Sequence, residues 1–244
     1  MRISIQSRGN RLQRPGRPRE IDKSDIQEAL VSLYLRLNGY FASGFIVHAP
    51  YRNKTEMDVL AVRFPRHMEP EREVQCCRHL AIPGNSIDLL VGEVKGGGSN
   101  ANFNRRFRED GEAIRTVLRR FGALEEEGIE RVCETVPGLL KPEKIRKLKT
   151  FPTLDVGSGS AQLRFVIFAT EQRRESALAG PYIFEDDLLN FVWTCFSPEQ
   201  QRPRSDARYN YELWGPLFVA MVQHFKDPER TLPGSIKDLY GLSW

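Results

Sequence analysis

Apolar and polar positions along the chain alternate in two periods, and each period marks a set of elements. Ile26, Leu30, Leu33, Tyr34 and Leu37 recur at helical spacing, and Gly39 follows as a natural stop. Ser24 opens this helix as the expected N-cap, with Gln27 completing a capping box and Asp25 favourable at the positive helix end. Residues 45–49 and 58–64 read as strands, and 65–86 as a long polar loop with Pro65, Pro70, Pro83 and Gly84. Residues 87–95 form the clearest strand, ended by Gly96, Gly97 and Gly98. Phe103, Phe107, Ile114, Val117, Leu118 and Phe121 lay an apolar stripe along a single helix expected over 103–121. A mixed connector, 122–160, leads to a buried strand at 163–170, and two helices follow near 185–196 and 209–226.

The order predicts an α/β domain, a mixed central β-sheet flanked by helices with a helical C-terminal elaboration near 180–244. A length of 244 residues with 40% hydrophobic and 28% charged residues suits one large domain over 23–244 and excludes disorder of the chain as a whole. The longest apolar run, 217–222, is far too short to cross a membrane, and the basic N-terminus lacks the apolar stretch of a secretion signal. Four cysteines at 76, 77, 133 and 195 include no C-x-x-C pair, which suits a reducing, cytoplasmic setting.

Charge changes the picture at one end only. The net +4 comes from residues 1–20, which hold six arginines and one glutamate, while the remainder has 30 basic and 31 acidic residues. Residues 1–22 therefore read as a flexible basic arm drawn to polyanions. Its Arg14-Pro-Gly-Arg17-Pro-Arg19 segment loosely resembles a minor-groove AT-hook, which makes Arg17 and Arg19 candidate nucleic-acid contacts, although Pro15 departs from the usual core.

The candidate chemistry sits on two strands. Glu93 and Lys95 share one face of a strand whose middle, Leu89 to Val91, is apolar, and Glu56 and Asp58 share a face of the strand before it. A carboxylate and an ammonium among Leu89, Leu90, Val91 and Val94 are costly unless paired or bound to a cation. If the two strands pair, Asp58 approaches Glu93, and a hard divalent cation such as Mg²⁺ or Mn²⁺ would relieve the repulsion. Three other patterns carry less. The glycines after Gly92 imitate a phosphate-binding loop but lack its lysine. His67, Cys76, Cys77 and His79 share a loop, but their spacing fits no standard zinc knuckle. A lysine-rich stretch, 141–149, reads by default as an exposed face.

Glu56-x-Asp58 followed by Gly92-Glu93-Val94-Lys95 resembles the PD-(D/E)xK nucleases of the restriction-endonuclease-like fold. Upstream, Glu28-Ala29, Tyr34-Leu35 and Asn38-Gly39-Tyr40 resemble the first helix of Holliday-junction resolvases and related small nucleases, so the likeness covers roughly 24–121, with the core completed by the strand at 163–170. The resemblance implies a divalent-metal-dependent nuclease, an enzyme that hydrolyses phosphodiester bonds, of DNA above all, with metal-activated water. It implies metal ligation by Asp58, Glu93 and the Val94 carbonyl, a catalytic Lys95, a Glu28 that holds a metal-bound water or second metal, and an accessory Glu56. Arg105, Arg106 and Arg108, just after the glycines, become candidate phosphate contacts. The alternatives are a catalytically inactive nucleic-acid-binding module on the same fold, or an interaction subunit with a possible homodimer surface in the aromatic C-terminal half.

Overall fold

The structure is a computed structural model. It describes residues 21–48, 54–67, 73–81, 85–97, 101–156, 159–174, 181–197 and 210–242, with the backbone alone at 45–48 and 54–56. The basic arm, including Arg17 and Arg19, lies outside the described residues.

Helix α1 spans Lys23–Leu37. Its N-cap is Asp22, not Ser24. The Asp22 carboxylate accepts the backbone N–H groups of Ser24 and Asp25 at 2.9 and 3.1 Å, and Asp25 returns a bond to the Asp22 N–H at 3.0 Å. A carboxylate caps better than a hydroxyl here because it also meets the positive end of the helix dipole. At the other end Gly39 adopts φ +88° and donates its N–H to the Arg36 carbonyl, as its position after the apolar stripe predicts.

Strands β1 (Phe41–His48), β2 (Lys54–Arg63) and β3 (Ile87–Lys95) form an antiparallel meander. The chain then crosses one face of the sheet through α2 (Arg105–Glu109), α3 (Gly111–Phe121), α4 (Glu126–Leu139) and the single turn α5 (Pro142–Ile145). Strand β4 (Thr153–Val156) turns back antiparallel onto β5 (Ala161–Ala169), and β5 lies parallel to β3. The three-residue β6 (Tyr182–Phe184) extends the far end of β5, giving the order β1-β2-β3-β5-β4 with β6 beside β5. Helices α6 (Glu185–Phe196) and α7 (Pro216–Lys226) close the fold.

The sheet is covered on both faces, which is why β3 reads as an apolar run and not as a clean alternation. On one face Leu33 and Tyr34 of α1, Val192 of α6 and Phe225 of α7 pack with Ala61, Leu90 and Phe168. On the other, Ile114 and Val117 of α3 and Val132 and Val136 of α4 pack with Leu89, Val91 and Phe165. The mixed α/β architecture expected from the sequence is the one observed.

Three local differences have physical causes. The helix expected over 103–121 is broken at Asp110, whose backbone is extended and whose side chain caps α3 through the N–H groups of Glu112 and Ala113. Helix α4 forms in the expected connector despite Gly128 and Pro137, because Ile129, Val132, Cys133 and Val136 bury one stripe against α3 and the sheet. The last long helix begins only at Pro216, which is pre-organised for a first helical position.

On the α1 face, a buried polar cluster ties the entry end of β3 to β5. Asp88 is fully buried and accepts from Arg164 Nε at 2.8 Å and from Tyr40 Oη, while Arg164 Nη2 also reaches Tyr40 Oη at 2.7 Å. Burial and the Asp88 carboxylate push the Tyr40 hydroxyl far above the usual tyrosine range, so it stays a donor.

Candidate active site

The site forms where β2 and β3 part. Ladder pairing of the two strands ends at Val59 opposite Gly92, one residue short of Asp58 and Glu93. Beyond that point the Asp58 carboxylate replaces the missing strand and accepts the Val94 backbone N–H at 2.7 Å.

A β-bulge makes this possible. On the β1 side, Ser43 pairs with Leu60 and Phe45 with Met57, so Asp58 and Val59 together stand opposite the single Gly44. The extra residue breaks the two-residue alternation. Met57 and Leu60, three apart, pack on the α3 face, while Val59 and Ala61 pack on the α1 face. Bulges re-aim side chains in this way, and here the bulge releases Asp58 from the regular pleat.

Glu93 is 2% exposed, and its Oε1 accepts from Lys95 Nζ at 2.5 Å. Its Oε2 is buried with no hydrogen-bond partner among the described residues. Burial is the main cause that pushes its carboxyl up, to about 7. Lys95 opposes that rise, the Asp58 charge adds to it, and the Asn104 backbone opposes it weakly. Lys95 is 36% exposed, so its ammonium reaches from the buried carboxylate to solvent.

Glu28 and Asp58 line one cleft of about 380 Å³ between α1 and the start of α7, with Asp25, Ser32, Leu217 and Phe218. Glu93 and Lys95 do not line it. The structure thus brings Asp58, Glu93, Val94 and Lys95 together and places Glu28 on the α1 side of Asp58. Glu56 lies on β2 opposite Ile46, and its side chain is outside the described residues.

The arginines after the glycines take mostly local partners. Arg105 pairs with Glu109 at 2.9 Å on an exposed turn, Arg106 lies 3.8 Å from Asp110, and Arg108 Nε donates to the Phe103 carbonyl at 3.0 Å. The loop quartet is dispersed too. Cys76 accepts from Arg63, His79 contacts Asp187, and His67 lies on the Phe41 ring.

Several residues around the site were not singled out by the sequence pattern. Thr170 donates to the Lys95 carbonyl through its N–H at 2.9 Å and its hydroxyl at 3.1 Å. Glu171 accepts the Gly97 N–H at 3.0 Å, and its other oxygen accepts from Tyr240 Oη at 2.7 Å and Gln27 Nε2 at 3.2 Å. Tyr240 arrives there because Glu185 pins its turn, accepting from Ser235 Oγ and the Ile236 N–H at 2.7 Å each. Gln27 packs so closely that a Cβ on Gly96 would lie 3.1 Å from its Nε2. Glu171 carried a usable signal, since it follows the end of a parallel strand, where ligands of open α/β sheets gather. Tyr240 carried none, being far from β3 in sequence.

The donor set fits a hard divalent cation in part. Two carboxylates in each other's field, one with a buried orphan oxygen, hold the charge that such an ion relieves. Among the described residues, however, no three His, Cys, Asp or Glu side chains converge as a ready cluster, so the Val94 carbonyl and water would have to complete the shell. No helix among the described residues is long and apolar enough to cross a membrane. No family model, curated protein or solved structure matches the chain.

Proposed function

We propose that the protein is a divalent-metal-dependent nuclease of the restriction-endonuclease-like fold, acting on nucleic acid and most readily on DNA. The observation that carries the reading is the Asp58 carboxylate on the Val94 N–H, which sets Asp58 beside buried Glu93 and its Lys95 partner at one strand end. The order of one helix, an antiparallel three-stranded meander, a helical crossover and a parallel fourth strand supports the fold.

Asp58, Glu93 and the Val94 carbonyl would hold Mg²⁺ or Mn²⁺, which supplies Lewis acidity and a more acidic bound water. Glu93 must lose its proton to serve as a ligand, and Lys95 favours that loss. The Lys95 ammonium, partly open to solvent, is placed to orient a water and to offset negative charge gathering on a phosphate. In the overall hydrolysis, a water oxygen bonds to phosphorus, the ester P–O bond breaks, and the departing oxygen ends with one of the water's protons, with no covalent enzyme intermediate. Thr170 holds the Lys95 carbonyl, and Glu171 holds the Gly97 N–H, which steadies the turn a nucleic-acid backbone would pass.

A non-catalytic binding module is the second reading. It is favoured by the lack of a three-residue acidic cluster among the described residues. The retention of Asp58, Glu93 and Lys95 together favours catalysis.

A panel of supercoiled and linear duplex DNA, single-stranded DNA, a four-way junction and RNA, each with Mg²⁺, Mn²⁺ or EDTA, tests the proposal. Cleavage of at least one substrate that EDTA abolishes is the expected result. Binding without cleavage on every substrate selects the second reading.

A further inference from the structure

A second cavity, of about 420 Å³, lies away from the candidate active site, beside the entry end of β5. Five cationic or basic side chains line it: Arg78, His79, Lys149, Arg164 and Arg174. They come from three separate regions of the chain, the single turn Arg78–Leu80, the approach to β4, and β5 with the segment after it.

The acidic partners of this cavity are already engaged. Arg164, 5% exposed, forms its floor and is matched by Asp88. Asp187 accepts from Arg174 Nη2 through both oxygens at 2.6 Å and lies 3.1 Å from His79 Nε2. Burial works against the charge on Asp187, but the hydrogen bonds from His79 and Arg174 hold its carboxyl down at about 2, so it stays ionised. Arg78 and Lys149 are exposed, and their side chains take no hydrogen bond or ion pair among the described residues. Two cationic side chains therefore face one cavity without a counter-charge among the described residues.

We propose that this cavity is a binding site for a phosphate ester. A phosphomonoester carries a charge of about −1.5 to −2 near neutral pH, and two successive phosphodiesters of a nucleic-acid strand carry one negative charge each, so either matches the two unmatched cations. Arg78 supplies a planar fork suited to phosphate oxygens and Lys149 a point charge. The volume exceeds what a bare phosphate needs and falls within the size of small-molecule sites. Phe151, half-buried in the lining, and the Gln162 amide offer a ring face and a donor–acceptor pair for the group attached to the phosphate, as a nucleoside would require. The ester could be a free nucleotide or the backbone of a bound nucleic acid. The site stands apart from Asp58, Glu93 and Lys95 and does not depend on the nuclease reading.

Binding of the full chain to inorganic phosphate, the four nucleoside 5′-monophosphates and a short single-stranded oligonucleotide, measured by calorimetry at low salt, tests the proposal. The wild type runs beside Arg78→Glu/Lys149→Glu and Asp58→Ala. Both double-variant positions are exposed, and thermal melting checks that the variant is folded. Saturable binding that the double variant weakens at least tenfold, and that Asp58→Ala leaves in place, is the expected result. If mononucleotides bind, the ligand is a free nucleotide. If only the oligonucleotide binds with that same loss, the ligand is a nucleic-acid backbone. No saturable binding of any phosphate compound, or binding that a folded double variant retains in full, overturns the proposal.

Discussion

The Asp58 carboxylate accepts the backbone N–H of Val94 at 2.7 Å, with Asp58 one residue beyond the last ladder pair on β2 and Val94 two residues beyond it on β3. A side chain therefore takes up the hydrogen-bond position that the parting strand vacates. The same contact brings a second negative charge close to buried Glu93, whose carboxyl is pushed up to about 7. Structure and electrostatics are coupled at this point, and the coupling can be measured.

Glu93→Gln should change how stability depends on pH. In the folded protein Glu93 keeps its proton up to about 7, whereas its ordinary value is 4.5. Between those values the unfolded chain releases a proton that the folded chain retains, so stability falls as pH rises through this window. The fall is on the order of 3 kcal/mol and levels off above about 7. Urea titrations of the metal-free protein from pH 4 to 8 should show the decline in the wild type and its loss in Glu93→Gln.

Asp58→Asn removes the charge but keeps an oxygen that can accept the Val94 N–H. The Glu93 carboxyl should then titrate below its wild-type value, because a like charge that raises it is gone. A carboxyl-carbon NMR titration checks this directly. An unshifted Glu93 would mean that Asp58 takes no part in setting its value.

Gly92→Ala should destabilise the fold by about 1–3 kcal/mol through overpacking. A Cβ at Gly92 would lie 2.9 Å from Phe168 Cε2 and 3.0 Å from the Val59 Cβ, both in the core between the sheet and α1. The midpoint of urea unfolding gives the magnitude.

Arg164→Met should cost about 3–5 kcal/mol, because it leaves Asp88 buried without its cation. The double variant Asp88→Leu/Arg164→Met should cost far less than the two single changes added together. Equilibrium unfolding of the three variants completes the cycle.

Strand β3 was legible residue for residue, because an apolar run closed by three glycines has few competing readings. The approach of Asp58 to Glu93 was legible too, from two acidic motifs on neighbouring strands. The bulge at Asp58 and Val59 was not, since a reading by alternation assumes an unbroken pleat. The break at Asp110 was hidden by an apolar stripe that runs through both α2 and α3. Helix α4 was hidden by Gly128 and Pro137, whose local preferences tertiary packing overrides. The Asp88–Arg164 pair and the Tyr240–Glu171–Gln27 cluster join residues distant in sequence, and only the folded chain shows them. Arg17, Arg19 and the Glu56 side chain lie outside the described residues.

The most direct test of the account is the rate of supercoiled-plasmid cleavage against Mg²⁺ concentration for the wild type, Asp58→Ala and Lys95→Ala. Circular dichroism and thermal melting would establish that all three are folded. The account predicts metal-dependent nicking or linearisation by the wild type, reduced at least a hundredfold in both variants. Cleavage that survives both substitutions would contradict the assignment of the site.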